Sequence, residues 1–266
     1  MKNIFWTILV VFIILLPSIL AYIPLPQTSF NVTRSDINYS ALYFFDDFID
    51  SDGSGNYNTS KWSVAYGSGG SATISGNTPS GILNISGPTP AAYYAIESDY
   101  TADFRGRCTD FSVKRKTKTA NEATFFVGKT NTANSAGDSM RMMYIGRDYN
   151  NHPDTIELAE GSQSFISTGK TIGLDQFTNF TLVINSDYTT QLYINNTWDN
   201  GNVSGDSTSS DSSGIWIGLH DDDNWLVKNV YVYNCSKGFP VISITPDTTP
   251  PTISAGFNIS IDNFYK

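Results

Sequence analysis

An all-β domain that closes into a sandwich or a barrel is the fold class this sequence predicts, and two observations predict it. Helix signals are nearly absent; short segments rich in Val, Ile, Thr, Tyr and Phe recur instead between clusters of Gly, Ser, Asn and Asp. Many short alternating strands without helices must cover their apolar faces against one another, which leaves a sandwich or a barrel.

The chain begins with a different signal. Residues 1–21, MKNIFWTILVVFIILLPSILA, carry one Lys, an apolar run from Ile4 to Leu16, then Pro17 and a small residue at Ala21. That is the layout of a secretory signal peptide, with an uncleaved membrane anchor helix as the alternative. Either way the remainder is expected to be secreted or held at the cell surface. Residues 22–40 read as an N-terminal extension.

The candidate strands follow in order at residues 41–48, 61–66, 81–86, 92–97, 109–118, 122–129, 139–148, 154–160, 162–168, 179–186, 190–195, 214–220 and 225–234. Within NFTLVINS, Phe180, Leu182 and Ile184 share one face and Asn179, Thr181 and Val183 the other. One side of that sheet is expected to pack and the other to stay partly wet. NSDY at 185–188 turns the chain into TQLYIN, a hairpin signal. After Cys235 the texture changes to SKGFPVISITPDTTPP, where PDTTPP cannot join a ladder and favours an extended linker, so residues 236–266 read as a linker and a short tail.

Two cysteines, Cys108 and Cys235, are expected to pair in an oxidising compartment. Nine N-x-S/T acceptors, at Asn31, Asn38, Asn58, Asn84, Asn179, Asn195, Asn202, Asn234 and Asn258, point to a glycoprotein. The formal charge is −9. Removing residues 1–21 takes away Lys2 and leaves fifteen basic against twenty-five acidic residues, a net −10. Nucleic acid is thereby an unlikely partner, since phosphate binding needs a net basic face.

The stretch FFDDFIDSDGSGNYNTSKWSV (44–64), the paired NFTLVINSDYTTQLYINNTW and the closing GIWIGLHDDDNWLVKNVYVYN resemble concanavalin A-like lectin/glucanase domains, a superfamily that includes laminin G-like modules and several glycoside hydrolases. The resemblance spans residues 41–235. It implies a jelly-roll sandwich of two curved antiparallel sheets with a concave face, the last strand lying beside the first.

Four motifs bear on function. Glucanases of the superfamily carry Glu-x-Asp-x-Glu on one strand, where two-residue spacing puts all three carboxylates on one face. Here DTIELAE spaces Asp154, Glu157 and Glu160 three apart, so Glu157 and Glu160 meet only if a β-bulge falls at Leu158 or Ala159. DSDGSGN places Asp50, Asp52 and Ser54 as oxygen ligands, but Lys61 stands where an EF-hand has its bidentate Glu. A structural Ca²⁺ completed by backbone carbonyls is the remaining expectation.

HDDDNW supplies Asp221, Asp222, Asn224 and Trp225 as sugar contacts, with Trp198 and Tyr144 as further aromatic candidates. A core position for Trp216 and Trp225 is the competing reading. VKRKTK turns Lys114, Lys116 and Lys118 to one face, suited either to an acidic polysaccharide or to guarding an exposed or edge strand against aggregation. The functional expectation is an exported carbohydrate-binding or adhesion module without catalysis. A divergent glycoside hydrolase and a structural surface or virion component are the alternatives.

Overall fold

In the computed structural model, residues 36–67, 69–76, 81–87, 93–117, 124–129, 141–146, 155–160, 164–187, 189–195, 197–198, 214–220 and 223–241 are described. The N-terminal apolar run and the tail beyond Val241 lie outside them. The strands are β1 (Phe44–Asp46), β2 (Trp62–Tyr66), β3 (Ser71–Ser75), β4 (Ile82–Ser86), β5 (Tyr93–Ser98), β6 (Arg107–Thr117), β7 (Thr124–Lys129) and β8 (Arg141–Ile145). They continue with β9 (Thr155–Glu160), β10 (Ser164–Thr171), β11 (Thr178–Ile184), β12 (Thr190–Ile194), β13 (Thr197–Trp198), β14 (Ile215–His220) and β15 (Asn224–Asn234). All the expected strands are present; β3 and β13 are additions.

These strands form two antiparallel sheets. One has eight strands in the order β13-β12-β11-β6-β15-β4-β3, with β1 also on β15; the other has seven, β10-β9-β8-β7-β14-β5-β2. The closing strand lies beside the first, Phe44 opposite Val232. The sandwich is a jelly roll, as expected.

Alternation selects the core. Phe180, Leu182 and Ile184 of β11 face inward with Phe111 and Val113 of β6, and from the other sheet come Phe125, Val127, Met143, Ile145, Ile156, Leu158, Ile215, Ile217 and Leu219. Trp225 of β15 is fully buried and stacks on Phe125 of β7, ring centroids 4.5 Å apart, so it joins the two sheets. Arg115 also points inward. Its guanidinium donates to Asp223 Oδ2 at 2.8 Å, and Trp225 Nε1 donates to the same oxygen at 3.1 Å. A buried guanidinium needs such a partner, because an uncompensated charge in the interior costs several kcal/mol.

The outer face of the eight-stranded sheet is not wet at its disulfide end. Thr181 and Val183, expected to be partly solvated, are each 1% exposed. The reason is a clasp made by the segments that enter and leave the domain. Ile37 bridges Val241, Asn38 N–H donates to Pro240 O, and Phe239 packs on Tyr231 and Tyr233. Residues 236–241, read as linker, are thus part of the fold. The Cys108–Cys235 disulfide lies under this clasp, Cα atoms 5.1 Å apart. β6 pairs with β15 along most of its length but with β11 only from Arg107 to Val113; beyond Val113 that side carries the single Arg115–Leu174 bridge, so Lys114 and Lys116 lie where the ladder opens.

Buried among these rings are two carboxylates with phenol partners. Tyr231 donates to Asp47, and Asp110 Oδ1 accepts from Tyr233 at 3.2 Å and Thr181 at 2.7 Å. Burial, and then Asp47 beside Tyr231 and Asp110 beside Tyr233, push both phenols well above their ordinary range. A raised folded-state pKa means stability that is complete below the unfolded value of about 10 and lost as pH rises above it. In an alkaline titration followed at the phenolate absorbance band, exposed tyrosines are expected to ionise near pH ~10 while Tyr231 and Tyr233 ionise only with loss of near-UV dichroism. Ionisation of every tyrosine before the dichroism changes would refute this.

Candidate functional site

On the seven-stranded sheet, the residues that alternate with the core point outward. Because Ile215, Ile217 and Leu219 face inward, Trp216, Gly218 and His220 of β14 face out. Register then builds a row across the sheet. Gly218 lies opposite Ala95 and Phe126, Phe126 opposite Tyr144, Tyr144 opposite Glu157, and Glu157 opposite Ser167. Ala95, Phe126, Met142, Tyr144 and Trp216 make a second apolar cluster on this side.

Two glycines let that surface form. A Cβ on Gly218 would stand 2.4 Å from Phe126 Cζ and 2.7 Å from Ala95 Cβ. At Gly67, with φ +90°, it would stand 1.9 Å from the Tyr93 carbonyl oxygen. The second absence brings the end of β2 against β5, where Tyr66, Tyr93 and His220 gather on three neighbouring strands. Tyr66 and Tyr93 meet edge to face at 6.3 Å, and Tyr93 and His220 are 4.3 Å apart. Tyr66 is 41% exposed and the other two are half-buried. Four residues along β14 from His220, the Trp216 indole N–H is buried and meets no acceptor among the described residues.

No family model matches the chain, and no curated protein matches it. Solved structures do. One, from a study of endo-acting O-glycanases that members of the human gut microbiota express to initiate mucin breakdown, aligns with TM-score 0.52 and 8% identity over 73% of this chain and 99% of that one. Another, an immunostimulatory antigen and pseudo β-1,3-glucanase of Mycobacterium tuberculosis, aligns with TM-score 0.50 and 13% identity over 73% and 99%. Both likenesses agree with the jelly-roll sandwich of the two sheets. At such identities the likeness is one of fold.

Within the jelly roll, the residues singled out from sequence do not converge. Tyr144 lies on the outer row just described, 8% exposed. Trp225 is a core residue: both ring faces are covered, which leaves no surface for a sugar. Asn224 sits on the eight-stranded sheet, donating through Nδ2 to Ser86 Oγ at 3.0 Å. Trp198 belongs to β13 at the edge of that same sheet, opposite Tyr193. Asp221 and Asp222, like Asp154, fall outside the described residues. β9 pairs with β8 and β10 in unbroken register from 157 to 160, so the bulge that would bring Glu157 and Glu160 to one side is missing.

The Asp50 loop has its own geometry. Asp50 Oδ2 accepts from Gly55 N–H and Asp52 Oδ1 from Ser54 N–H, both at 2.9 Å. These bonds from Ser54, and then one shared with Asp50, hold the Asp52 carboxyl below its usual range. Asp50 Oδ1 is buried and meets no hydrogen-bond donor among the described residues. Lys61 lines the same loop's cavity, its ammonium donating to Phe45 O at 2.8 Å. A cavity of about 830 Å³ opens here, with Asp46, Asp47, Asp50, Asp52 and Asn58 among its lining residues. Among the described residues no group of three His, Cys, Asp or Glu converges as a metal cluster. Asp50 and Asp52 with main-chain carbonyls nevertheless fit a hard cation, which takes six to eight oxygens from flexible loops.

Gly218 and its neighbours allow a direct check of the outer row. Gly218→Ala is expected to destabilise the fold by about 1–3 kcal/mol, because the added methyl meets a ring and a methyl already in contact distance. Urea unfolding of parent and variant reads this; equal midpoints would show that the row has more room than the structure gives it.

Proposed function

We propose that this chain is an exported carbohydrate-binding module whose ligand lies on the outer face of the seven-stranded sheet, against Tyr66, Tyr93 and His220. The observation that carries the reading is this half-exposed ring cluster. Aromatic faces beside hydrogen-bonding groups suit a pyranose, which has apolar C–H faces and a polar rim. The names of the two structures of the same fold, an O-glycanase study and a pseudo β-1,3-glucanase, are in keeping with it. The disulfide agrees with export, since such bonds persist in oxidising compartments.

As part of the same proposal, the Asp50 loop binds a structural Ca²⁺ through Asp50 and Asp52, with Ser54 bracing the loop by accepting from Asn56 N–H at 3.1 Å. The ion would supply the charge that two adjacent carboxylates lack and would hold the loop against β1.

The first test is retention of the protein on a glycan and polysaccharide panel. Tyr66→Ala is expected to weaken binding roughly fivefold to tenfold, the value of one lost aromatic stacking contact, with thermal unfolding unchanged because the ring is exposed. Retention equal to the parent's would remove the ring cluster as the site, and release of shorter saccharides would transfer the reading to hydrolysis.

Calcium is read separately by thermal unfolding. Ca²⁺ at about 1 mM is expected to raise the transition temperature and a chelator to lower it, with Asp50→Asn abolishing the difference. Identical transitions with and without the ion would exclude the site.

A further inference from the structure

On the outer face of the eight-stranded sheet, beyond the clasp, the surface changes character. Lys114 and Lys116 alternate with the inward-facing Val113 and Arg115, and Lys228 of β15 lies opposite Ser112 of β6. Lys228 lies on the diagonal next to Lys114, and Lys116, the extra residue where the ladder shifts between Asn224 and Trp225, is exposed. The segment that leads into β11 is docked beside them by Asp175 N–H donating to Arg115 O at 3.0 Å. It brings Phe177 between two ammonium groups: Lys228 Nζ is 4.1 Å and Lys114 Nζ 5.4 Å from the ring centroid.

The charges do not cancel. Asp175 Oδ1 accepts from Lys114 at 2.8 Å, and that bond, with the charges of Lys114 and Lys116, keeps its carboxyl ionised below the usual range. Among the described residues Asp175 is the carboxylate beside Lys114 and Lys116, while Lys228 lies over Phe177. The same face continues across β15, β4 and β3 through Leu226, Asn84 and Thr73 in one register row and Asn224, Ser86 and Ser71 in the next. These side chains are uncharged.

We propose that this face binds an extended acidic polysaccharide, its carboxylate or sulfate groups on Lys114, Lys116 and Lys228 and its hydroxyls on the neighbouring amide and hydroxyl side chains. Charge complementarity selects the partner. In a chain of net charge −9, a polyanion is repelled everywhere except where cations are concentrated. A membrane is the poorer match, because insertion into a bilayer needs a broad apolar face beside the cations, and beyond Leu226 and Phe177 the flanks here are Ser, Thr and Asn. The site is separate from the ring cluster on the other sheet and does not depend on it.

The test uses the full chain produced without N-glycosylation, since Asn84 is an acceptor on this face. Heparin and polygalacturonate serve as probes, with dextran as the neutral polymer and phosphatidylcholine/phosphatidylserine vesicles as the lipid arm. The parent is expected to bind both polyanions, to elute with salt, and to ignore dextran at this face. Lys114→Gln/Lys116→Gln/Lys228→Gln should weaken polyanion binding roughly tenfold, the combined value of three exposed ion pairs. Lys170→Gln/Lys237→Gln, which alters lysines elsewhere, should leave it intact.

Unchanged retention of the triple variant, or an equal loss in the control, would overturn the proposal, as would vesicle binding without polysaccharide binding. Far-UV dichroism and the sugar panel, both expected to be unaltered in the triple variant, separate loss of this face from misfolding and from failure of the ring-cluster reading.

Discussion

The ladder between β6 and β15 is the constraint on which the rest of the structure depends. Each strand has eleven residues, one near the middle of the chain and the other near the end of the domain, and they pair from Arg107–Asn234 at one end to Thr117–Asn224 at the other. Such a non-local pairing carries a loop-closure cost that must be offset by what the two strands bury. Phe111, Val113, Val227, Val230 and Val232 supply the offset on the inner side, and Cys108 bonded to Cys235 locks one end. β1 then adds to β15, β11 to β6, and the second sheet closes over the buried face.

That ladder also organises two different kinds of chemistry on its outer face. At the disulfide end the chain's own entry and exit segments cover it, so phenols and carboxylates are trapped there in pairs. A buried carboxylate without a donor would be costly, and Tyr231, Tyr233 and Thr181 provide donors. At the other end the segment before β11 lies beside the sheet with Phe177 against Lys114 and Lys228, and the remaining side chains of the face are mostly lysine, amide and hydroxyl. A break in register between Lys228 and Val230 makes this division possible, with Asn229 at φ +39°. The extra residue turns Lys228 outward while keeping Val227 and Val230 both inward.

The seven-stranded sheet presents the opposite arrangement, an outer face whose centre is apolar and tightly packed and whose β2–β5–β14 end is half-open. Gly67 and Gly218 are as important there as the aromatic residues, because each removes a methyl that would push two strands or two rings apart. A surface of this kind is built by small residues first and by rings second.

Much of the fold was legible in the sequence, because strand alternation and turn composition are local properties and the core residues of β11, β14 and β15 follow from them. The disulfide was legible as well, since two cysteines in an oxidising setting have one partner each. Trp225 was not: alternation divides the residues of β15 between two faces, but only the stacking of Trp225 on Phe125 decides which face is the interior. The same limit applies to Tyr66, Tyr93 and His220. They stand far apart in the chain, and their meeting depends on β5 pairing with both β2 and β14. The lysines of β6 could be assigned to a shared face but not to an inner strand. By itself the sequence determined the strands, their two faces and the covalent link; which strands are neighbours, and therefore which side chains form a surface together, was decided by tertiary pairing, because hydrogen-bond ladders join residues that the local pattern cannot connect.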